Sequence, residues 1–205
     1  RLLCVQDDVA DRMVEMIVGA ARELTIGDPL DPAVHIGPVI DLESKARLDT
    51  YLAERTRRGE IVFAGEAPAG GLFVAPHVVA LDSPGDLDRE VFGPVLHVVR
   101  YRAGDLEALL QAIARKGYGL TLGIHSRIAE TAETIIRRLP VGNIYVNRNM
   151  IGAVVGVQPF GGEGLSGTGP KAGGPHALLR YAVERAVSVN IAAQGGDPAL
   201  LNLDA

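Results

Sequence analysis

From Val95 to Arg148 the chain alternates apolar runs with single amphipathic stretches: "VLHVVRY", "DLEALLQAIARKG", "LTLGIHS", "AETAETIIRRLP" and "NIYVNR". Apolar strand runs separated by one helix each are the pattern of a parallel sheet covered on both faces. The expected fold class is therefore α/β, an open, mostly parallel twisted sheet with helices on both faces. Upstream, Asp7 or Asp8 is placed to cap a helix with Asp11 in its first turn. Met13, Ile17, Ala20, Ala21 and Leu24 recur at three-and-four spacing and predict its buried face, with the helix ending at Gly27. An ordered loop rich in proline follows, then a second amphipathic helix over Asp41 to Arg58, then short strands in "EIVFAG" and "LFVAPHVVAL". The tail "RAVSVNIAA" alternates with period two, so a lone strand there must pair with the body of the chain or with a neighbouring subunit.

With 205 residues, 47% of them hydrophobic, the chain can bury a core. A net charge of -5, with basic residues clustered only in pairs such as Arg57-Arg58 and Arg137-Arg138, argues against a nucleic-acid surface. No apolar run approaches the roughly 20 residues that cross a bilayer, and the cytoplasm is the expected location. One cysteine excludes an intrachain disulfide and a cysteine-based zinc cluster, and the five histidines have no metal-ligand spacing. Cys4 lies in the apolar run "LLCVQ" and reads as a small buried hydrophobe in a strand. The chain opens without methionine directly on strand-like "RLLCVQ", which predicts a piece of a longer polypeptide.

Seven of the 25 glycines fall in Pro159 to Pro175, "PFGGEGLSGTGPKAGGP". Gly162, Gly164 and Gly167 form a formal G-x-G-x-x-G. That fingerprint opens a helix directly after a strand, whereas here Thr168, Gly169 and Pro170 follow and leave no room for one. The end of the stretch fits another role. Gly173 and Gly174 precede Pro175, which suits the first turn of a helix through "HALLRYAVERA". Bare backbone N–H groups at such a terminus bind an anion, and Lys171 adds positive charge. Two donors at roughly 1.5–3 kcal/mol each prefer a carboxylate-bearing ligand by about a hundredfold or more. The plainer reading is that these glycines only permit a tight turn.

"DREVFGPVLHVVRY", "GYGLTLGIHSR", "VGNIYVNRN" and "QPFGGEGLSGTGPKAGGP" occur in an order and spacing that resemble the aldehyde dehydrogenase superfamily. The last two look like the L-glutamate γ-semialdehyde dehydrogenase module of the bacterial proline utilization A (PutA) proteins. The resemblance runs from Arg1 to the final strand. It implies covalent catalysis by a thiol with NAD as hydride acceptor, and FAD only where a proline dehydrogenase domain precedes. It implies that Gly173 and Gly174 anchor the substrate α-carboxylate and that Tyr181, where the family usually has phenylalanine, packs on the substrate's aliphatic chain. Phe160 is placed near the same pocket. Glu90 and Phe92 match the family's E-x-F pair, which implies a ribose-binding carboxylate and an aromatic beside the cofactor. From the residues alone Glu90 reads only as a solvated charge.

The resemblance also implies what lies elsewhere. The catalytic cysteine is expected a few residues before Arg1, and the general-base glutamate, the oxyanion-hole asparagine and the Rossmann domain further upstream. Cys4 is not the nucleophile, and no catalytic or metal-binding residue is expected in this chain. The expected division is residues 1–184 as the incomplete thioester-forming catalytic domain and 185–205 as an oligomerisation strand and tail. Its partners are then a small-molecule substrate, the upstream cofactor-binding part of the same polypeptide and further subunits, with no nucleic acid or membrane contact. A non-catalytic assembly module is the alternative from another class, and a degenerate copy of that kind has no reason to keep both Glu90-x-Phe92 and Gly173-Gly174. A dehydrogenase for a different aldehyde is the third reading.

Overall fold

The structure, a computed structural model, describes residues 1–151, 154, 156–190 and 193. Its centre is a four-stranded sheet in which β1 (Leu2–Gln6) and β3 (His77–Leu81) flank β4 (Val95–Tyr101), both parallel to it. The short β2 (Ile61–Ala64) closes one edge antiparallel to β3. Strict side-chain alternation divides the core. Val79, Leu81, Val95 and Val99 face α2 (Leu42–Arg57) and α3 (Leu106–Ala114), while Val5, Val78 and Val98 face α1 (Asp7–Arg22). Both faces of the sheet are therefore covered, as the apolar runs require.

A second parallel pair, β6 (Thr121–Ile124) and β7 (Asn143–Val146), is joined by α4 (Ala129–Arg138). Between the two sheets β5 (Tyr118–Gly119) pairs antiparallel with β8 (Glu163–Gly164), which carries the glycine-rich stretch back to the body. Among the described residues no helix is long and apolar enough to cross a membrane.

Several expectations hold closely. Asp41 caps α2, its carboxylate accepting from Ser44 N–H at 2.7 Å, which holds its own protonation below the usual carboxylate range. The strand expected over "VLHVVRY" is β4 residue for residue. Others shift for identifiable reasons. β3 begins only at His77, because Pro76 has no N–H to give the ladder. β7 stops at Val146 because Asn147 turns left-handed at φ 54, its side-chain amide bonding both the N–H and the C=O of Ser126.

The first helix differs more. Neither Asp7 nor Asp8 is the cap: the helix starts at Asp7 itself, straight out of β1, with Gln6 as the boundary residue. That junction fixes the rotation, so Ala10, Val14, Ile17 and Val18 meet the sheet while Met13 and Leu24 stand exposed. The helix also ends at Arg22, short of Gly27, because Ile26 leaves to bridge Ile36.

The expected helix over "HALLRYAVERA" is reduced to a single 3-10 turn, Ala177–Tyr181, and residues 182–190 belong to no helix or strand. The physical reason is the lack of a packing surface. Leu178, Leu179 and Tyr181 are all exposed, and an eleven-residue helix without apolar contacts is marginal in water. The expected oligomerisation strand falls on residues 185–190, which are exposed and form no strand pairing among the described residues, and on positions that lie mostly outside them.

Candidate functional site

Two groups of residues are candidates for the chemistry. The first sits where β1 and β4 begin. Val91 turns into the core and Gly93 leaves no room beside Leu48, where an added Cβ would lie 2.7 Å from its Cδ1. With the loop held at these two points, the flanking side chains of Glu90 and Phe92 project outward, Phe92 71% exposed. Arg1 touches both. Its guanidinium carbon stands 4.4 Å from the Phe92 ring centroid and its Nη1 lies 3.5 Å from Glu90 Oε1. A solvated carboxylate beside a flat apolar ring offers an acceptor for a sugar diol and a surface for a planar ligand.

The second group is the glycine-rich stretch, and β7 explains its shape. The buried Asn143 side chain donates from Nδ2 to Pro159 O at 3.0 Å and accepts at Oδ1 from Gly161 N–H at 3.1 Å. One residue earlier, a Cβ on Gly142 would lie 1.9 Å from Gly161 O. Only glycine permits that approach. Phe160 and Ala172 then exchange N–H···O bonds at 3.0 and 2.9 Å, so the stretch doubles back as a hairpin-like loop. Within it Gly162 bridges Gly167, and the formal dinucleotide fingerprint is folded onto itself.

At the end of this loop Gly173 adopts φ 70, a conformation that L side chains rarely take. Its N–H has no acceptor among the described residues, whereas Gly174 N–H donates across a turn to Lys171 O at 3.2 Å. The amide pair is therefore half engaged, and since no α-helix starts at Pro175 or follows among the described residues, the helix-dipole argument for anion binding does not apply here. Nor does the Lys171 ammonium stand free beside the pair, because it donates to Gly142 O. Tyr181 is 84% exposed and Phe160 38% exposed. A cavity of about 240 Å³ between α1 and the sheet, bordered by Val14, Val62, Ala80, Val98 and Arg100, includes none of these residues. Among the described residues no hydrogen bond, ion pair or ring contact joins the loop to Glu90 or Phe92.

Cys4 lies in β1 opposite Val99, packed against the α2 and α3 side of the core. Burial pushes its thiol up to about 11. At neutral pH it stays protonated, and the thiolate is the reactive form. Ellman's reagent at pH 7.5 is expected to leave Cys4 unmodified in the folded chain and to titrate it fully in guanidinium chloride. Rapid modification without denaturant would contradict this assignment.

The sequence pattern of the aldehyde dehydrogenase family matches residues 1–187. The chain belongs to the aldehyde dehydrogenase family. Among curated relatives of this aldehyde dehydrogenase chain, the bifunctional protein PutA of Escherichia coli is 49% identical over 205 residues, covering 95% of this chain and 16% of the relative. A 1-pyrroline-5-carboxylate dehydrogenase of Geobacillus kaustophilus is 35% identical over 187 residues, covering 90% of this chain and 36% of the relative. A crystal structure of a mutant of Bradyrhizobium japonicum proline utilization A superposes with a TM-score of 0.87 at 66% identity, covering 94% of this chain and 20% of that one. The chain thus spans between about a sixth and about a third of the length of these curated relatives.

Sequence reasoning missed three participants. Asn143 and Gly142 stand in the quoted motif "VGNIYVNRN", where a polar residue opening a buried strand and a glycine before it were available signals. Arg1 gave none, because its contacts to Glu90 and Phe92 span some ninety positions and come from the parallel pairing of β1 with β4.

Proposed function

We propose that this chain is part of an NAD-dependent L-glutamate γ-semialdehyde dehydrogenase of proline catabolism, carried on a longer, PutA-like polypeptide. Within it, the turn at Gly173 and Gly174 holds the substrate α-carboxylate through the Gly173 N–H, with Tyr181 and Phe160 beside the aliphatic chain. Glu90 accepts from the ribose hydroxyls and Phe92 packs beside the cofactor. NAD, when bound, supplies the hydride acceptor, and its ribose suits the exposed Glu90 carboxylate next to an exposed ring. The nucleophilic thiol belongs to another part of the polypeptide, since Cys4 is a half-buried, protonated strand residue. FAD enters only if the polypeptide also holds a proline dehydrogenase part. Residues 1–184 belong to the catalytic domain and 185–205 to a segment that joins subunits, a role favoured by exposed Val187 and Val189.

The observation that carries this reading is the Gly173 N–H, which has no acceptor among the described residues, at the end of a loop that Asn143 and Gly142 fix to the sheet. A dehydrogenase for a carboxylate-free aldehyde has no use for it. The cofactor half is tested by Glu90→Gln in the full-length enzyme. Loss of a charged acceptor is expected to raise Kd for NAD about tenfold, the equivalent of roughly 1.4 kcal/mol. An unchanged Kd by calorimetry would remove Glu90 from the cofactor site.

A further inference from the structure

His97 lies at the centre of β4 with no exposed surface at all. On the same face Val95 and Val99 fill the neighbouring positions with apolar side chains, so packing alone does not call for an imidazole. Burying one is costly unless both ring nitrogens are satisfied, and both are. Nδ1 lies 2.9 Å from Arg1 O, and Nε2 lies 2.8 Å from Tyr51 Oη. A carbonyl only accepts, so Nδ1 carries the proton, Nε2 is left as the acceptor, and the Tyr51 hydroxyl donates to it.

The backbone N–H of His97 donates to Arg1 O as well, at 3.1 Å. One carbonyl oxygen therefore receives two bonds from a single buried residue. The imidazole is itself fixed from behind. Tyr51 meets it edge-on with centroids 5.7 Å apart, and Arg55 lies 4.8 Å over the Tyr51 ring while holding Glu60 Oε2 at 2.8 Å and Asp86 O at 3.1 Å. On the other side of that carbonyl, the Arg1 guanidinium covers Phe92 and reaches Glu90.

We propose that His97 is a positioning residue for the cofactor-contacting pair Glu90 and Phe92, acting through Arg1. Its Nδ1–H fixes the Arg1 backbone, and the Arg1 side chain sets the carboxylate and the ring. This rests on the cofactor role proposed for Glu90 and Phe92. Asparagine at position 97 places an amide N–H near the site of Nδ1, whereas glutamine places it near Nε2 and leaves Arg1 O with the ladder bond alone.

The test uses the full-length enzyme and reads NAD affinity by titration calorimetry beside thermal stability. His97→Asn is expected to keep Kd for NAD within about twofold of wild type, and His97→Gln to raise it roughly three- to tenfold, the worth of one ordinary hydrogen bond. A purely structural histidine treats the two variants alike in Kd. Equal Kd values for both, with Glu90→Gln weakened as expected, overturn the proposal and leave the cofactor reading intact. If Glu90→Gln also binds NAD normally, the cofactor reading fails and this inference falls with it. Should His97→Gln not accumulate, Tyr51→Phe takes its place, removing only the rear support of the ring. A two- to threefold rise in Kd is then expected, and an unchanged value overturns the proposal.

Discussion

Replacing Gly173 with alanine in the full-length enzyme is expected to lower kcat/KM for glutamate semialdehyde by about 10- to 100-fold while leaving propanal oxidation within about twofold. Two effects act together at this position. Alanine at φ 70 costs roughly 1–2 kcal/mol, which the loop relieves by rotating the peptide. The rotation turns away the N–H that has no acceptor among the described residues, and a charge-assisted bond of about 1.5–3 kcal/mol is lost with it. Propanal has no carboxylate, so it feels neither the bond nor its loss. Equal losses for both aldehydes would mean the loop was disturbed as a whole, and the carboxylate contact would have to be placed elsewhere.

Gly142→Ala is expected to be more damaging and less selective. The new methyl would sit 1.9 Å from Gly161 O, a backbone atom on a segment already held by Asn143, so β7 and the loop must part by more than an ångström. Overpacking of this kind costs typically 1–3 kcal/mol, and a displacement of about 1 Å near the reacting centre lowers turnover by around 100-fold. Melting temperature and kcat for both aldehydes should fall together. Gly104→Ala is the control, since nothing lies within 4 Å of its Cβ position and it is expected to behave as wild type. A Gly142→Ala enzyme of normal stability and activity would show that the close approach is not needed.

The fold was legible where burial decides conformation locally. β4 is apolar enough to be buried on both faces, and its seven residues read as a strand without further help. Asp41 and the run behind it specify α2 through a cap and a stripe. What stayed hidden depends on partners distant in sequence. The rotation of α1 is set by its junction with β1, and two adjacent apolar stripes on that helix make either rotation plausible from spacing alone. The stretch from His176 to Ala186 has helical periodicity but exposes Leu178, Leu179 and Tyr181, so periodicity without a surface to bury against overstates the helix. At the candidate site, the glycine-rich motif marked the loop now proposed to hold the carboxylate. Its physical explanation came from Asn143 and Gly142 on another element, and the Arg1 and His97 contacts around Glu90 and Phe92 follow only from strand register.

In the proposed enzyme a backbone amide of this loop recognises the acid group of an amino-acid aldehyde. The direct measurement is the ratio of kcat/KM for pyrroline-5-carboxylate, in equilibrium with glutamate semialdehyde, to that for propanal, determined on the full-length wild-type enzyme with NAD. A preference of about 10- to 100-fold is expected from one charge-assisted donor, the Gly173 N–H. Comparable values for the two aldehydes would contradict it.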